Sequence, residues 1–316
     1  MEIERIFKDA INCGASDIFI IAGLPLTFKI NGMQKRFSEQ GILKPDDTLR
    51  FAKELYQLSG KKELMVNGET TDEDFSVSIN GIGRFRVNMF VQRGSIAAVI
   101  RVIKFGIPDA KEYNIPDEVM NVADRRNGIV LVTGQAGSGK STTLACIIDR
   151  INSTREGHIL TLEDPLEYVH RHNKCIVSQR EIGNDCDNYL KALKSALRES
   201  PDVILLGEMR DFETISAAIT AAETGHLVFS TLHTIGAGST IDRVIDVFPE
   251  YQQQQIRVQL SNVLESIVSQ QLMPTADGRG RVAAFEVLHA TPAVRNLIRE
   301  GKSHQMTSVM QTSRKL

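Results

Sequence analysis

Nine consecutive residues, Gly134-Gln135-Ala136-Gly137-Ser138-Gly139-Lys140-Ser141-Thr142, limit what this chain can become more than any other segment. Gly134, Gly139, Lys140 and Ser141 satisfy the pattern G-x-x-x-x-G-K-[ST], a loop whose backbone N–H groups close around phosphates. That geometry needs a strand leading in and a helix leading out, because the helix N-terminus adds the positive end of its dipole at the same point. The sequence predicts both. Residues 129–133, apolar up to Thr133, read as the strand, and residues 142–151 read as the helix. The pattern implies ATP with magnesium, Lys140 holding the β and γ phosphates and the Ser141 hydroxyl ligating Mg²⁺. The plain alternative is a glycine-rich strand–helix turn with no ligand.

At 316 residues the chain has room for about two domains. Its 42% hydrophobic and 24% charged residues are those of a soluble globular protein. No apolar run is long enough for a membrane span, and Met1-Glu2-Ile3-Glu4-Arg5 is no basic-then-apolar leader. A net charge of −2, 6% aromatics and no Trp supply neither a phosphate-binding surface nor stacking platforms, so nucleic acid is not an expected partner. Cys13, Cys146, Cys175 and Cys186 stand far apart without a Cys-x-x-Cys pair and read as reduced thiols in a cytoplasmic protein.

The first part, residues 1–107, reads as an α+β domain. Ile3, Ile6, Phe7, Ala10 and Ile11 repeat at helical spacing, and Gly14 stands where that helix should stop. Residues 18–21 form a short strand, and Leu26, Phe28 and Ile30 alternate up to an Asn31-Gly32 turn. A helix around residues 45–58 follows, then strands over 75–79, 84–91 and 96–103, the first two joined through Asn80-Gly81-Ile82-Gly83. Hairpin-linked strands predict an antiparallel sheet with helices on one face. Residues 108–127, interrupted by Pro108 and Pro116, read as a linker. From 128 to 316, apolar strands at 129–133, 158–162, 203–206 and 227–231 alternate with helices, the mark of a mainly parallel sheet. Thr291-Pro292 starts a late helix and Gly301 stops it.

Ligands of parallel sheets sit beyond the carboxyl ends of the strands, which directs attention to the residues found there. Val203-Ile204-Leu205-Leu206 runs into Gly207-Glu208, a Walker-B-like place with Gly where Asp often stands. Glu208 is the candidate to orient and deprotonate an attacking water; otherwise it caps the next helix. Glu163-Asp164-Pro165-Leu166-Glu167 ends another strand, and Glu163 suits a magnesium-bound water or the nucleophilic water, unless these are solvated loop charges. His233 ends the fourth strand and could sense the γ-phosphate; His226, just before that strand, completes a Glu-x-x-His spacing with Glu223. One such spacing, followed by a helix-ending Gly225, makes a poor metal site.

Four segments together carry a resemblance: Gln135-Ala136 inside the phosphate loop, residues 160–170, Gly207-Glu208-Met209-Arg210-Asp211, and residues 222–234. They resemble the Walker A, Asp box, Walker B and His box of the type II/IV secretion ATPases. Residues 293–301 resemble a C-terminal motif associated with pilus retraction in that family. Gly14-Ala15-Ser16-Asp17 and residues 83–88 resemble its N-terminal PAS-like domain. The resemblance implies a PAS-like α+β domain followed by a RecA-like ATPase domain, assembled as a homohexamer that turns ATP and water into ADP and phosphate. It also implies that Arg86 and Arg101 reach the phosphates, which would neutralise charge on the transferred phosphoryl group. Without that role each is a surface arginine on a strand. The implied work is type IV pilus retraction, with an inner-membrane platform protein and the pilus machinery as partners, at the inner face of the cell membrane.

Three departures stand out. Gln135-Ala136 replaces the usual Pro-Thr, Val294 replaces Ile, and the sequence stops at Ser313-Arg314-Lys315-Leu316, before the helical tail such proteins carry. The rival within the family is a pilus extension or type II secretion ATPase. Those relatives have longer N-terminal regions and many a four-cysteine zinc module, so retraction is the expectation. A nucleic-acid translocase and an ATP-holding regulator without turnover are the rivals from other classes. One expected outcome needs only the loop: Lys140→Ala removes a charge-assisted contact of ~1.5–3 kcal/mol, so affinity for a fluorescent ATP analogue should fall about tenfold or more.

Overall fold

The helical spacing of Ile3, Ile6, Phe7 and Ala10 becomes α1 (Glu2–Asn12), with all four side chains buried. The structure, a computed structural model, describes residues 2–30, 32–60, 72–103, 106–276 and 280–313. Asn31 of the expected turn and residues 314–316 lie outside the described residues. The chain divides into two units, Met1–Phe105 and Gly106–Leu316.

In the first unit α1 is followed by β1 (Ala15–Ile20), β2 (Pro25–Ile30), β3 (Met33–Ile42), α2 (Pro45–Ser59), β4 (Glu73–Ile79), β5 (Gly83–Gln92) and β6 (Ser95–Ile103). The strands form one sheet in the order β3-β2-β1-β6-β5-β4, each neighbour antiparallel. Strand side chains alternate between faces, so Phe85, Val87 and Met89 of β5 point to the side covered by α1 and α2. Phe7 stacks on Phe85 with ring centroids 3.8 Å apart, tying α1 to the middle of β5.

The second unit contains α3 (Asp117–Met120), β7 (Gly128–Thr133), α4 (Lys140–Thr154), β8 (Gly157–Glu163), β9 (Cys175–Glu181), α5 (Tyr189–Ala196), β10 (Val203–Leu206), α6 (Phe212–Glu223), β11 (Leu227–Leu232), α7 (Ala237–Asp246), α8 (Glu250–Val263), β12 (Leu264–Pro274), β13 (Arg281–His289), α9 (Pro292–Arg299) and α10 (Met306–Ser313). Its seven strands are ordered β13-β12-β7-β11-β10-β8-β9. Every pair is parallel except β12 with β13. The protein is thus a mixed α/β chain with two sheets, one of them mainly parallel.

The apolar runs of β7, β10 and β11 are buried at every residue. Their alternate side chains feed two cores. Ile129, Leu131, Ile204, Leu206 and Val228 face α6, α7 and α8, while Val130, Val132, Val203, Leu205 and Phe229 face α4. A sheet covered on both faces reads as continuous apolar sequence for this reason. Ile115, Val119, Met120, Val122 and Ala123, from the stretch read as a linker, pack into the α4-side core. No helix among the described residues is long and apolar enough to cross a membrane. The four cysteines are free.

Because Phe7 is 0% exposed and stacked, Phe7→Ala should cost about 3–5 kcal/mol. Denaturant titration should show a lower midpoint with an unchanged slope.

Candidate functional site

Registration of the parallel strands brings their carboxyl ends level. Leu232 pairs with Thr133 and Leu206 with Leu162, so the residues that follow emerge side by side. A cavity of about 290 Å³ opens there, lined among others by Lys140, Ser141, Glu163, Asp164, Glu208 and His233. A second cavity of about 610 Å³ shares Gly137, Lys140, Ser141 and Glu167 and continues past Gly139, Thr142 and Thr143 to Tyr113, Leu272 and Arg281. The phosphate loop therefore contributes to both hollows within the second unit.

The loop residues 134–142 are held from beneath by Gln270 of β12. A Cβ on Gly134 would collide with the Gln270 carbonyl oxygen, and one on Gly139 would lie 2.8 Å from its Nε2. Both glycines also have positive φ, 144° and 90°, so this neighbour and this backbone each demand glycine. The Gln270 Oε1 accepts from the Thr143 hydroxyl at 2.8 Å, which turns its Nε2 toward the loop. Thr142 shares a 2.9 Å hydrogen bond with the Tyr168 hydroxyl, pinning α4 to the segment after β8. Lys140 is 8% exposed and donates to the carbonyl oxygens of Gly134 at 2.8 Å and Gln135 at 3.0 Å. Burial pushes its pKa down, against the opposite pull of Glu167 and Glu208. The loop fits a phosphate. The Ser138 hydroxyl is buried without a partner among the described residues, and Lys140 needs only to exchange loop carbonyls for an anion.

Glu208 does not cap α6; that cap is Asp211, which accepts from the Thr214 N–H. Instead one Glu208 oxygen is 2.5 Å from Arg210 and the other 3.5 Å from His233 Nε2. Glu163 accepts from Gln179 at 3.4 Å, and burial raises its carboxyl to about 7 while its hydrogen bonds act the other way. Ser141, Glu163, Asp164 and Glu208 present only oxygen donors to the smaller cavity, the hard set magnesium prefers. Among the described residues no group of three or more His, Cys, Asp or Glu forms a cage for a metal. His226 is used locally, its Nδ1 lying 2.9 Å from the Ala221 carbonyl and 3.2 Å from the Thr224 hydroxyl.

Arg86 and Arg101 belong to the first unit, where they face each other directly across β5 and β6. Like charges so placed repel. Each leans on a carboxylate, Arg86 on Asp74 at 2.6 Å and Arg101 on Asp17 at 3.5 Å. Residues 293–301 line neither cavity. Their Arg295 instead donates to the Ser261 and Asn262 carbonyls at the end of α8 and to Glu265 at 2.8 Å. Gln270 and Tyr189 line the cavities although nothing in their sequence neighbourhoods marks them, whereas Tyr168 lies inside the segment 160–170.

The whole chain, residues 1–316, matches the family described as Type II/IV secretion system protein. It is 46% identical over 312 residues to the type IV pilus retraction ATPase PilT of Pseudomonas aeruginosa, covering 99% of this chain and 89% of that one. The type IV pilus ATPase PilU of the same organism is 41% identical over 313 residues, 99% of this chain and 81% of its own length. A crystal structure of the pilus retraction motor PilT with bound ADP superposes with a TM-score of 0.88 at 48% identity, covering 98% of this chain and 89% of that one.

His170, buried in the smaller cavity's wall, has an Nδ1 without a partner among the described residues, and burial lowers its pKa from 6.5 to about 4. Between those values the unfolded chain binds the proton and the folded chain does not. The stability this group contributes is therefore full above pH 6.5 and lost as pH falls toward 4, on the order of 3 kcal/mol. Denaturant melts at pH 7 and 4.5 should show His170→Asn losing less stability over that interval than the wild type.

Proposed function

The chain belongs to the type II/IV secretion system protein family, and we propose that it is the ATP-hydrolysing motor of type IV pilus retraction. The observation that supports this most is the single cavity in which the phosphate loop, Glu163, Glu208 and His233 meet, in a chain 46% identical to a retraction ATPase over nearly its full length.

On this reading residues 128–316 form a RecA-like ATPase domain, joined through 108–127 to a PAS-like domain at 1–107. The triphosphate enters the loop of residues 134–142, its γ end toward the smaller cavity. The larger cavity, within the size range of ligand pockets, takes the nucleoside beside Tyr113. Lys140 leaves the Gly134 and Gln135 carbonyls for the β and γ phosphate oxygens. Ser141, and Glu163 through a water, would hold Mg²⁺, which would offset charge on the phosphates. Proximity to the cation favours the ionised form of Glu163, against the burial that raises it.

Glu208 takes a proton from the attacking water. To do so it must release the oxygen now paired with Arg210, while His233 keeps the other in place and reads the γ-phosphate. Arg86 and Arg101 neutralise charge developing on the transferred phosphoryl group, which requires them to leave Asp74 and Asp17. The motor is a homohexamer in the cytoplasm, recruited by an inner-membrane platform protein to the pilus base.

Glu208→Gln should keep Mg·ATP binding and slow turnover by ~10² or more, the scale of losing a general base. A strain lacking the protein, or carrying only Glu208→Gln, should show surplus static pili under electron microscopy. Bald cells would mean extension instead and would sink the retraction reading.

A further inference from the structure

Gly207 stands at the mouth of β10, where a carboxylate side chain would project between the ends of β8 and β10 in a Walker B strand ending in Asp. In this protein that volume is occupied. A Cβ on Gly207 would lie 2.8 Å from the Tyr189 hydroxyl oxygen, 3.3 Å from the Glu163 Cα and 3.4 Å from the Leu162 carbonyl oxygen. Tyr189 reaches this place from the first turn of α5. The Asn188 side chain fixes that turn by accepting from the Lys191 N–H at 2.9 Å. The ring packs against the sheet's core, so its oxygen is held at one position.

That oxygen is buried and has no hydrogen-bond partner among the described residues. A buried hydroxyl left unpaired is costly, and the cost persists in a native structure only where something else meets the group. Tyr189 lines the smaller cavity beside Glu163 and Glu208. Burial first, then the charges of Asp164, Glu208 and Glu163, push the phenol upward, so its proton stays on and the group is a donor.

We propose that Tyr189 is a further catalytic residue, whose hydroxyl donates a hydrogen bond to the water that attacks the terminal phosphate. This rests on the hydrolytic reading of the site. A water has two protons and two lone pairs. Glu208 accepts one proton, Tyr189 occupies one lone pair, and a single lone pair is left to bond to phosphorus. As the P–O bond to the leaving nucleoside diphosphate breaks, the water's proton passes to Glu208 and Tyr189 keeps its own. The hydroxyl thus selects one orientation of a nucleophile that one carboxylate alone would leave free to rotate. Gly207 is small for the same purpose, since any side chain there would displace the phenol oxygen.

The test is Tyr189→Phe in the full-length protein, which deletes one oxygen and keeps the ring that packs the core. Steady-state hydrolysis of Mg·ATP, affinity for a fluorescent ATP analogue, and thermal melting are measured beside the wild type. The expected result is a kcat lowered about tenfold or more, with KM, analogue affinity and melting temperature unchanged. Wild-type turnover in the variant, beside an active parent, would overturn the assignment alone. So would a loss of turnover that follows a loss of affinity or of melting temperature, because the phenol would then be a packing group. A parent that binds the analogue yet hydrolyses no ATP would overturn the hydrolytic reading, and this assignment with it.

Discussion

Everything in the larger unit follows from burying both faces of a parallel sheet. Once β7, β10 and β11 are buried at every position and apolar at most of them, little polar chemistry can emerge from the sheet's faces. It is confined to the strand ends, and the ladder pairs Thr133–Leu232 and Leu206–Leu162 make those ends level. Four segments separated by up to about a hundred residues are thereby brought to one cavity rim. The phosphate loop is the part most dependent on this arrangement, because it has almost no side chains with which to hold itself. Its shape is set by what lies under it. Gln270 supplies a carbonyl beneath Gly134 and an amide beneath Gly139, and Thr143 locks that amide's orientation.

Two charges in the cavity, Lys140 and Glu163, are desolvated by the protein. Lys140 makes do with two loop carbonyls and is pushed toward neutrality by burial. Glu163 is pushed up to about 7 by the same cause. A bound phosphate would restore the cation, and a metal near the carboxylate would restore the anion, so both groups gain most from ligand where the protein has desolvated them most. Glu208 differs. Arg210 and His233 hold its two oxygens, which keeps it aimed but engaged until one partner moves.

The core of this site was legible because it is local in sequence. A loop with fixed spacing, and single residues immediately after apolar runs, locate Lys140, Ser141, Glu163, Glu208 and His233 without a fold. Structure missed by the sequence reading lacks that punctuation. β12 begins at Leu264 directly where α8 ends at Val263, with no turn residue between them. β9 is a polar edge strand, Cys-Ile-Val-Ser-Gln-Arg-Glu, in which only alternate residues are buried at its start. Gln270 and Tyr189 matter through contacts with glycines far away in the chain, and a contact made by a missing side chain leaves no pattern to read. Residues 108–127, whose prolines and charges look like a tether, lie within the second unit, where Pro116 opens a helical turn whose Val119 is fully buried.

The first unit shows the converse economy. Arg86 and Arg101 sit opposite each other in a ladder whose other face is the apolar core under α1 and α2. Folding alone gives no reason for that pairing, since two like charges across a strand pair are unfavourable and neutral β-branched residues would serve the sheet better. Asp74 and Asp17 flank the pair and offset the repulsion, but neither carboxylate lies between the two guanidinium groups in the ladder: Arg86 is followed by Arg101 and then by Asp17. The result is a doubly cationic patch on two interior strands whose carboxylate partners are partly exposed. Such a patch can still take a stronger anion. A phosphate carries more negative charge than one carboxylate, which is the physical ground for proposing Arg86 and Arg101 as phosphate-neutralising residues.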